Sequence, residues 1–242
     1  MAKKSKKSSK RNPVNTDNIH DIGLPASSKV LKPRNEEQKS YINKIKNNTI
    51  TVATGDPGTG KTFIPAVLAA IELLKGKSSD FEKLILIRPN EPLGKSLGML
   101  PGTLEEKLEP WLVPIADGIS WYAGETYYKY CIRSGKIDYL AVEHARGRTF
   151  NNAFVIVDEA QNIGVEAMKA LVTRAGLDCR LVICGDIAQV DINKKDSGLA
   201  MLMRLKEKYG SAVPFTHIEL IENVRSPESA QFVKIFKEEG LM

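Results

Sequence analysis

Short apolar runs recur along the chain and predict six buried β-strands. The runs cover residues 49–53, 84–87, 137–142, 154–158, 181–184 and 218–221. Apolar positions at helical spacing lie between them and predict helices over 35–45, 63–74, 165–174 and 199–208, with a further short helix after Ser226-Pro227. Unbroken apolar strands are typical of a parallel sheet that is buried on both faces. The alternation of strands and helices therefore predicts an α/β fold with helices on both faces of the sheet.

Prolines interrupt the region between the second and third predicted strands. Residues 89–114 hold five of the twelve prolines, which excludes one long helix there. Within this region, Thr103-Leu104-Glu105-Glu106 is a capping-box pattern and predicts the start of a short helix. Residues 34–242 provide enough apolar side chains for one substantial core, so we expect a single domain over that range.

Residues 1–33 differ in composition from the rest of the chain. They are rich in Lys, Ser, Asn and Pro with few aromatics, which predicts a disordered arm. Six positive charges precede the first acidic residue, Asp17: Lys3, Lys4, Lys6, Lys7, Lys10 and Arg11. Without these six, the 35 basic residues fall to 29 and equal the 29 acidic ones, so the arm accounts for the net charge of +6. The arm either attracts nucleic-acid phosphates or is a solvated tail without function, and both interpretations remain open.

The composition of the chain indicates the cellular compartment in which the protein is expected. No apolar run approaches the ~20 residues of a membrane span, and the N-terminus lacks the apolar segment of a secretory signal. The three cysteines show no C-x-x-C spacing and the three histidines no metal-ligand spacing, so neither a disulfide framework nor a zinc site is expected. We therefore expect a protein of the reducing cytoplasm.

The segment between the first strand and the second helix carries the strongest chemical signal. It reads Gly55-Asp56-Pro57-Gly58-Thr59-Gly60-Lys61-Thr62 and matches the phosphate-loop pattern G-x-x-x-x-G-K-[ST] at every fixed position. A strand, a glycine-rich turn and a helix N-terminus place free backbone N–H groups around phosphate oxygens. Lys61 would reach the β- and γ-phosphates, and the Thr62 hydroxyl would ligate Mg²⁺. The segment predicts a nucleoside-triphosphate site.

A second signal is an apolar strand that ends in two carboxylates. The run over 154–157 delivers Asp158 and Glu159 to the C-terminal edge of the sheet, where ligands bind in open α/β folds. Asp158 would hold Mg²⁺, directly or through water, and Glu159 would orient and deprotonate the attacking water. An ordinary acidic turn would look the same in isolation. The complete phosphate loop upstream favours the catalytic interpretation.

The strand over 181–184 ends in a third, weaker pattern, G-D-x-x-Q. Its members are Gly185, Asp186 and Gln189. Gln189 could sense the γ-phosphate through its amide, and Asp186 could orient the water or relay the nucleotide state. By itself this pattern is a weak indication of function, and it supports a nucleotide site only together with the phosphate loop and the Asp158-Glu159 pair.

Together the phosphate loop, Asp158-Glu159-Ala160-Gln161 and the G-D-x-x-Q segment resemble the motor core of superfamily 1 helicases. More specifically, the chain resembles the PhoH family over about residues 35–235. The residues that carry this resemblance are Ile87-Arg88-Pro89, Leu97 to Gly102, Arg146 to Ala153, Leu171 to Arg174, and Asn223 to Pro227. One departure is Asp56-Pro57, where smaller residues are more usual, at loop positions that tolerate variation.

The resemblance implies a P-loop NTPase with a RecA-like sheet, using ATP and Mg²⁺ and acting on single-stranded nucleic acid, preferably RNA. It also implies that Gln38, with Asn35 nearby, contacts the adenine. Two other functions remain open: a P-loop kinase, which the two acidic patterns disfavour because they point to water activation, and an ATP-switched oligomeric scaffold with slow hydrolysis and no unwinding.

Superfamily 1 helicases bind ATP between two motor domains, and we expect no second domain of ~150 residues here. A completing arginine would then come from the same domain or from a neighbouring subunit. The resemblance points to a homo-oligomeric ring, a hexamer. Arg174 and Arg225 are the candidate arginines, and Arg88 is a weaker third.

Nucleic acid could bind at an aromatic segment. Residues 121–136 hold four of the seven tyrosines, interleaved with Lys129, Arg133 and Lys136. Aromatic and cationic side chains suit base stacking, but packing of an aromatic helix on the domain is the favoured interpretation. Arg146 and Arg148 could contact RNA backbone or an adjacent subunit.

Overall fold

A computed structural model describes residues 29–89, 112–193 and 195–240, and it contains one six-stranded sheet. The strands are Ile50–Gly55 (β1), Lys83–Arg88 (β2), Ile137–Ala141 (β3), Ala153–Val157 (β4), Arg180–Gly185 (β5) and Thr216–Leu220 (β6). They lie in the order β3-β2-β4-β5-β1-β6, and every pairing is parallel. The predicted α/β fold is confirmed, with strand ends within two residues of the expectation.

The described ranges contain seven α-helices, and the first six of them cover the two faces of the sheet. The seven are Glu36–Asn47 (α1), Phe63–Leu74 (α2), Val113–Ala123 (α3), Glu125–Arg133 (α4), Val165–Val172 (α5), Gly198–Tyr209 (α6) and Pro227–Glu238 (α7). Side chains of β4 alternate between two cores, since Phe154 and Ile156 pack with α1 to α4, whereas Val155 and Val157 pack with α5 and α6. Burial on both faces explains why the strands are unbroken apolar runs.

Two predicted helices differ from the structure. α5 ends at Val172, two residues before its predicted end, because Thr173 and Arg174 donate backbone N–H groups in a closing turn to Lys169 and Leu171. The capping-box helix expected at Thr103 lies outside the described residues. After the proline-rich region, α3 begins with Pro114 in its first turn, where a missing N–H costs little.

Because all six strands are parallel, their C-terminal ends lie at the same edge of the sheet. Strand β5 lies between β1 and β4, with Thr54 opposite Gly185 and Val157 opposite Ile183. The loop after β1 and the acids after β4 therefore flank the segment after β5. Ligands of open α/β sheets bind at this C-terminal edge.

The aromatic segment is largely part of the core. Tyr127 and Tyr128 of α4 are buried, and their hydroxyls bond to the Leu73 carbonyl (2.7 Å) and the Tyr139 hydroxyl (2.5 Å). This supports the packing interpretation over a stacking platform for bases.

The described fold includes residues 29–33, which the sequence assigned to the arm. Lys29 Nζ donates to the Trp121 carbonyl (2.6 Å), and Leu31 packs against the core. The rest of the predicted arm lies outside the described residues. Across the described ranges, no helix combines the length and apolarity needed to cross a bilayer, and all three cysteines are buried and unpaired.

Candidate functional site

The loop of residues 55–62 wraps around the N-terminus of α2 and needs its glycines. Gly55, Gly58 and Gly60 have φ angles of 139°, 77° and 93°, which side chains disfavour. At Gly55 a Cβ atom would also lie 1.9 Å from the Leu220 carbonyl oxygen, too close for any other residue. The loop therefore keeps its backbone N–H groups next to the helix start, as an anion cradle requires.

The segment after β6 holds this loop in place. The hydrogen bonds run from Asp56 N–H to the Leu220 carbonyl (3.2 Å), from Asn223 Nδ2 to the Pro57 carbonyl (2.9 Å), and from Val224 N–H to the Gly58 carbonyl (3.0 Å). Thr59 Oγ1 closes the loop on itself by donating to the Asp56 carbonyl (2.9 Å). Four bonds fix a stretch that has no regular secondary structure.

Lys61 lies folded back on the loop. Its Nζ donates to the carbonyls of Gly55 (2.5 Å) and Asp56 (2.6 Å). Burial lowers the pKa of this ammonium, and the carboxylates of Asp186, Asp158 and Glu159 oppose the shift. The cation is thus held at the centre of the cradle by neutral oxygens that a phosphate could replace.

The backbone of Lys61 is supported from the core side. The Tyr41 hydroxyl (2.8 Å) and the Cys184 thiol (3.1 Å) both donate to the Lys61 carbonyl. Burial raises the pKa of Cys184 to about 12, so the thiol keeps the proton that it donates. These two buried side chains anchor the end of the loop to α1 and β5.

Thr62 connects the loop to the acidic strand. Its Oγ1 makes no helix-capping bond and instead donates to Asp158 Oδ1 (2.7 Å). Burial raises the pKa of Asp158, and the Thr62 bond opposes the rise. Arg88 contacts both acids, with its guanidinium 3.9 Å from Asp158 Oδ2 and 3.3 Å from Glu159 Oε1. A hydroxyl and a carboxylate side by side are hard oxygen donors that fit Mg²⁺.

Glu159 adopts a left-handed backbone, with φ 51° and ψ 39°. This conformation costs a non-glycine residue on the order of 1 kcal/mol, and it aims the side chain away from the strand direction. Gln161 Nε2 donates to Glu159 Oε2 (2.6 Å), while Gln161 Oε1 accepts from Asp186 N–H (3.0 Å). The amide of Gln161, only 1% exposed, joins the two acidic patterns.

Asp186 keeps a buried carboxylate oxygen without a partner. Its Oδ1 accepts from Ala188 N–H (2.9 Å), whereas Oδ2 has no hydrogen bond among the described residues. Burial raises the pKa of Asp186, against the Ala188 bond and the Lys61 charge. An unsatisfied buried acceptor is costly, and at this edge it is available to a bound ligand or water.

These groups surround one cavity of about 580 Å³. Its lining includes the loop from Pro57 to Thr62 together with Asp158, Glu159, Asp186, Gln189 and Arg225. The outer end is lined by Leu31, Lys32, Arg34, Gln38, Pro114 and Asp117. The size and the mixed polar and apolar lining suit a nucleotide.

Asn35 and Gln38 form a helix cap. Asn35 is the N-cap of α1 and accepts from Gln38 N–H (2.8 Å), while Gln38 Oε1 accepts from Arg34 N–H (2.9 Å). Gln38 Nε2 donates to the Thr59 carbonyl (2.9 Å). Each amide atom of Gln38 thus makes one hydrogen bond within the protein, and one donor hydrogen and one lone pair stay available in a side chain that lines the cavity.

The candidate arginines lie in different places. Arg225, exposed, lines the cavity of its own chain, and Arg88 contacts Asp158 and Glu159 of the same chain. Arg174 accepts at its carbonyl from Phe150 N–H just before β4 begins, so it lies towards the opposite edge of the sheet and outside the cavity lining. Arg225 and Arg88 thus lie at the candidate site of their own chain, whereas Arg174 lies away from it.

Three residues of the site make contacts that the sequence did not predict. Gln161 stood in the quoted acidic motif, and its polarity inside an apolar context was a usable signal. Arg88 is the last residue of β2, and the sequence named it as a weaker third candidate for the completing arginine without predicting its contacts with Asp158 and Glu159. Lys237 of α7, whose Nζ lies 2.6 Å from Asp56 Oδ2, carries no local signal because it is 181 residues away in sequence.

Fold and site together define the class of the protein, a P-loop NTPase with a RecA-like parallel sheet. The chain belongs to the PhoH family, since the sequence profile of the family described as PhoH-like protein matches residues 30–237. The resemblance stated from the sequence motifs is thereby confirmed.

Relatives support this assignment. A PhoH-like protein of Synechocystis is 36% identical over 210 residues, covering 86% of this chain and 62% of the relative. A PhoH-like protein of Bacillus subtilis is 33% identical over 221 residues, covering 91% and 68%. Protein PhoH of Escherichia coli K12 is 36% identical over 184 residues, covering 74% and 51%. The chain spans roughly half to two thirds of the length of these curated relatives.

Solved structures are more distant. The crystal structure of Pif1 helicase from Candida albicans aligns with 86% of this chain and 44% of its own, at a TM-score of 0.44 and 16% identity. A Bacteroides Pif1 in complex with ADP-AlF4 aligns with a TM-score of 0.36 and 15% identity, covering 86% of this chain and 46% of its own. The family assignment rests on the sequence relatives.

Removing the charge of Asp186 should stabilise the protein without nucleotide. Burial raises the pKa of Asp186 in the folded state, so the folded protein holds this proton more tightly than the unfolded chain does. The free energy of unfolding therefore falls as the pH rises from the unfolded pKa through the folded pKa. Asp186→Asn should therefore raise the melting temperature at pH 8, and the gain should shrink towards pH 4. Thermal unfolding across this range checks the sign, with exposed Asp80→Asn as the control. A gain of equal size at both ends would contradict the prediction.

Proposed function

We propose that this protein binds ATP with Mg²⁺ and hydrolyses it. The observation that carries the proposal is the meeting of Lys61, the Thr62–Asp158 hydrogen bond and left-handed Glu159 at one cavity. Positioning and electrostatic stabilisation dominate phosphoryl transfer, and these groups supply both. The bound Mg²⁺–ATP would supply the electrophilic phosphorus.

Each residue has a distinct part in this proposal. The ammonium of Lys61 moves from the Gly55 and Asp56 carbonyls to phosphate oxygens. The charge-assisted hydrogen bonds to phosphate offset the free-energy cost of burying the cation. The Thr62 hydroxyl ligates the metal, and Asp158 holds that hydroxyl and the metal's water. Gln189 and Asp186 line the same space and are placed to respond to the terminal phosphate.

Glu159 is the proposed general base. Gln161 and Arg88 hold its two carboxylate oxygens from different sides, which fixes its direction. Its carboxylate would take the proton of the attacking water, and Arg88 would then be available to offset the negative charge on the phosphoryl oxygens. The strained backbone is retained because it orients this one side chain.

Two substitutions should separate binding from hydrolysis. Lys61→Ala should abolish ATP binding, because the cradle loses its cation. Glu159→Gln should bind ATP with near wild-type affinity and hydrolyse it about 10²- to 10⁴-fold more slowly, the usual contribution of a general base. Calorimetric titration and a phosphate-release assay measure the two quantities.

The matched control is Glu166→Gln, which removes an exposed acid paired with Lys169 at 2.7 Å. It should leave both quantities unchanged. Near wild-type turnover in Glu159→Gln would remove Glu159 from the base role, while binding by Lys61→Ala would remove the cradle assignment.

We further propose that single-stranded nucleic acid, preferably RNA, is the partner of this ATPase. The support is the resemblance to helicase motor cores and the six positive charges at the start of the sequence. Among described residues, Arg146 is exposed near the start of β4, whereas Arg148 is paired with Asp138 (3.1 Å). We also propose a cytoplasmic location, consistent with three unpaired cysteines.

ATP turnover with and without single-stranded RNA or DNA tests the partner. A motor predicts several-fold stimulation, greater with RNA, that weakens as salt rises because phosphate contacts release counterions. Slow turnover that neither polymer changes would favour the ATP-switched scaffold. Phosphate appearing on a small acceptor, and not as free phosphate, would favour a kinase.

We propose that the chain assembles into a ring, a hexamer, in which Arg174 completes the site of the next subunit. Its position away from its own cavity leaves it available to a neighbour in a head-to-tail contact. Arg225, in contrast, is placed to act in its own subunit. An arginine supplied in trans can contribute ~10³-fold or more in phosphoryl transfer.

Arg174→Lys should bind ATP and hydrolyse it poorly, while exposed Arg133→Lys at the end of α4 should be normal. Mixing Arg174→Lys with Lys61→Ala should partly restore turnover, since some interfaces then pair an intact loop with an intact arginine. Light scattering with ATP and Mg²⁺ gives the mass. A monomer that hydrolyses ATP at full rate would falsify the shared-site proposal.

A further inference from the structure

Helix α7 is linked to the phosphate loop by polar contacts. None of its residues is buried, and Phe232 is 60% exposed. Near its start, Asn223 Nδ2 donates to the Ser229 hydroxyl (3.0 Å) and to the Pro57 carbonyl. Near its end, Lys237 Nζ donates to Asp56 Oδ2 (2.6 Å). The helix is thus linked to the loop indirectly near its start, through Asn223, and directly near its end, through Lys237.

Asp56 places a negative charge in the phosphate loop, next to the cavity-lining residues that begin at Pro57. Its side chain is 12% exposed, and its backbone is held by Leu220, Thr59 and Lys61, so the residue cannot turn out of the loop easily. A carboxylate within several ångströms of a polyphosphate repels it, and partial burial strengthens that repulsion. An acid at this position needs compensation if the loop is to hold phosphates.

Lys237 supplies that compensation. Among the described residues, it is the one cation within 4.0 Å of the Asp56 carboxylate. The two charges also affect Asp186, which lines the cavity: burial raises the pKa of Asp186 first of all, Asp56 adds to the rise and Lys237 opposes it. The pair therefore influences the electrostatics of one carboxylate in the cavity.

We infer that Lys237 is a positioning residue for nucleotide binding, which neutralises Asp56 and thereby lets the loop accept the polyphosphate of a nucleoside triphosphate. The inference rests on the proposed ATP binding and adds a residue from outside the phosphate loop and the acidic segments after β4 and β5. Loss of the contact between α7 and the loop would leave Asp56 uncompensated, so the charge of the cradle depends on where this helix lies.

A double-mutant cycle on Mg²⁺–ATP affinity tests the pair, with calorimetric titration as the measurement. Lys237→Gln should weaken binding about tenfold, as expected for an uncompensated carboxylate near a multiply charged anion at a partly solvated site. Asp56→Asn should bind as tightly as wild type or more tightly. In the double variant, the Lys237→Gln effect should fall below twofold, because no charge remains to compensate. Lys237→Arg should retain wild-type affinity.

The control is Lys234→Gln, one turn earlier on α7, where Lys234 is 76% exposed and faces Glu238 at 3.8 Å. It should bind ATP as wild type does, since it removes a positive charge from the same helix without touching the loop. If Lys234→Gln weakens ATP binding equally, the effect comes from the net positive charge of the helix, and the assignment to Lys237 is overturned.

Other outcomes separate this inference from the proposed function. If Lys237→Gln weakens binding equally in the wild-type and Asp56→Asn backgrounds, Lys237 contacts the nucleotide itself and the compensation is wrong. If it has no effect in either background, the pair has no part in binding. Wild-type protein that binds no Mg²⁺–ATP would instead overturn the proposed function, and the inference with it.

Discussion

The parallel pairing of β1, β5 and β4 is the constraint on which the site depends. It brings the C-terminal ends of three strands to one edge in a fixed register, with Thr54 opposite Gly185 and Val157 opposite Ile183. The loop, the Asp158–Glu159 pair and Asp186 are each the first residues beyond those ends. Their mutual distances are therefore set by backbone hydrogen bonds between strands, and side-chain contacts such as Thr62–Asp158 only refine them.

The site without nucleotide satisfies its charges internally. Lys61 bonds to loop carbonyls, Arg88 faces Glu159, and Lys237 pairs with Asp56. Among the described residues that line the cavity, Asp186 retains a buried carboxylate oxygen without a hydrogen bond. Binding of a polyanion would then be an exchange of partners within a built framework, and such preorganisation lowers the cost of ordering the site.

Much of this arrangement could be predicted from the sequence, because the signals were local. The apolar run before Asp158 predicted a strand and placed the two acids at the C-terminal edge of the sheet. The glycine spacing in residues 55–62 predicted the phosphate loop. Gln38 was harder, since a glutamine three residues after Asn35 fits a helix cap as well as a base contact, and the structure shows the cap. The Lys237–Asp56 pair and the placement of Arg174 at the far edge arise from tertiary packing, which no local pattern encodes.

The position of β1 in the sheet has a consequence for how the chain folds. Both neighbours of β1 come later in the sequence, β5 beginning at Arg180 and β6 at Thr216. During synthesis the glycine-rich loop cannot be held in shape until nearly the whole domain has emerged, because such non-local pairings form only after a long loop closes. An incomplete chain would expose the edges of β1 to other molecules, and the ability to bind phosphate would arise last.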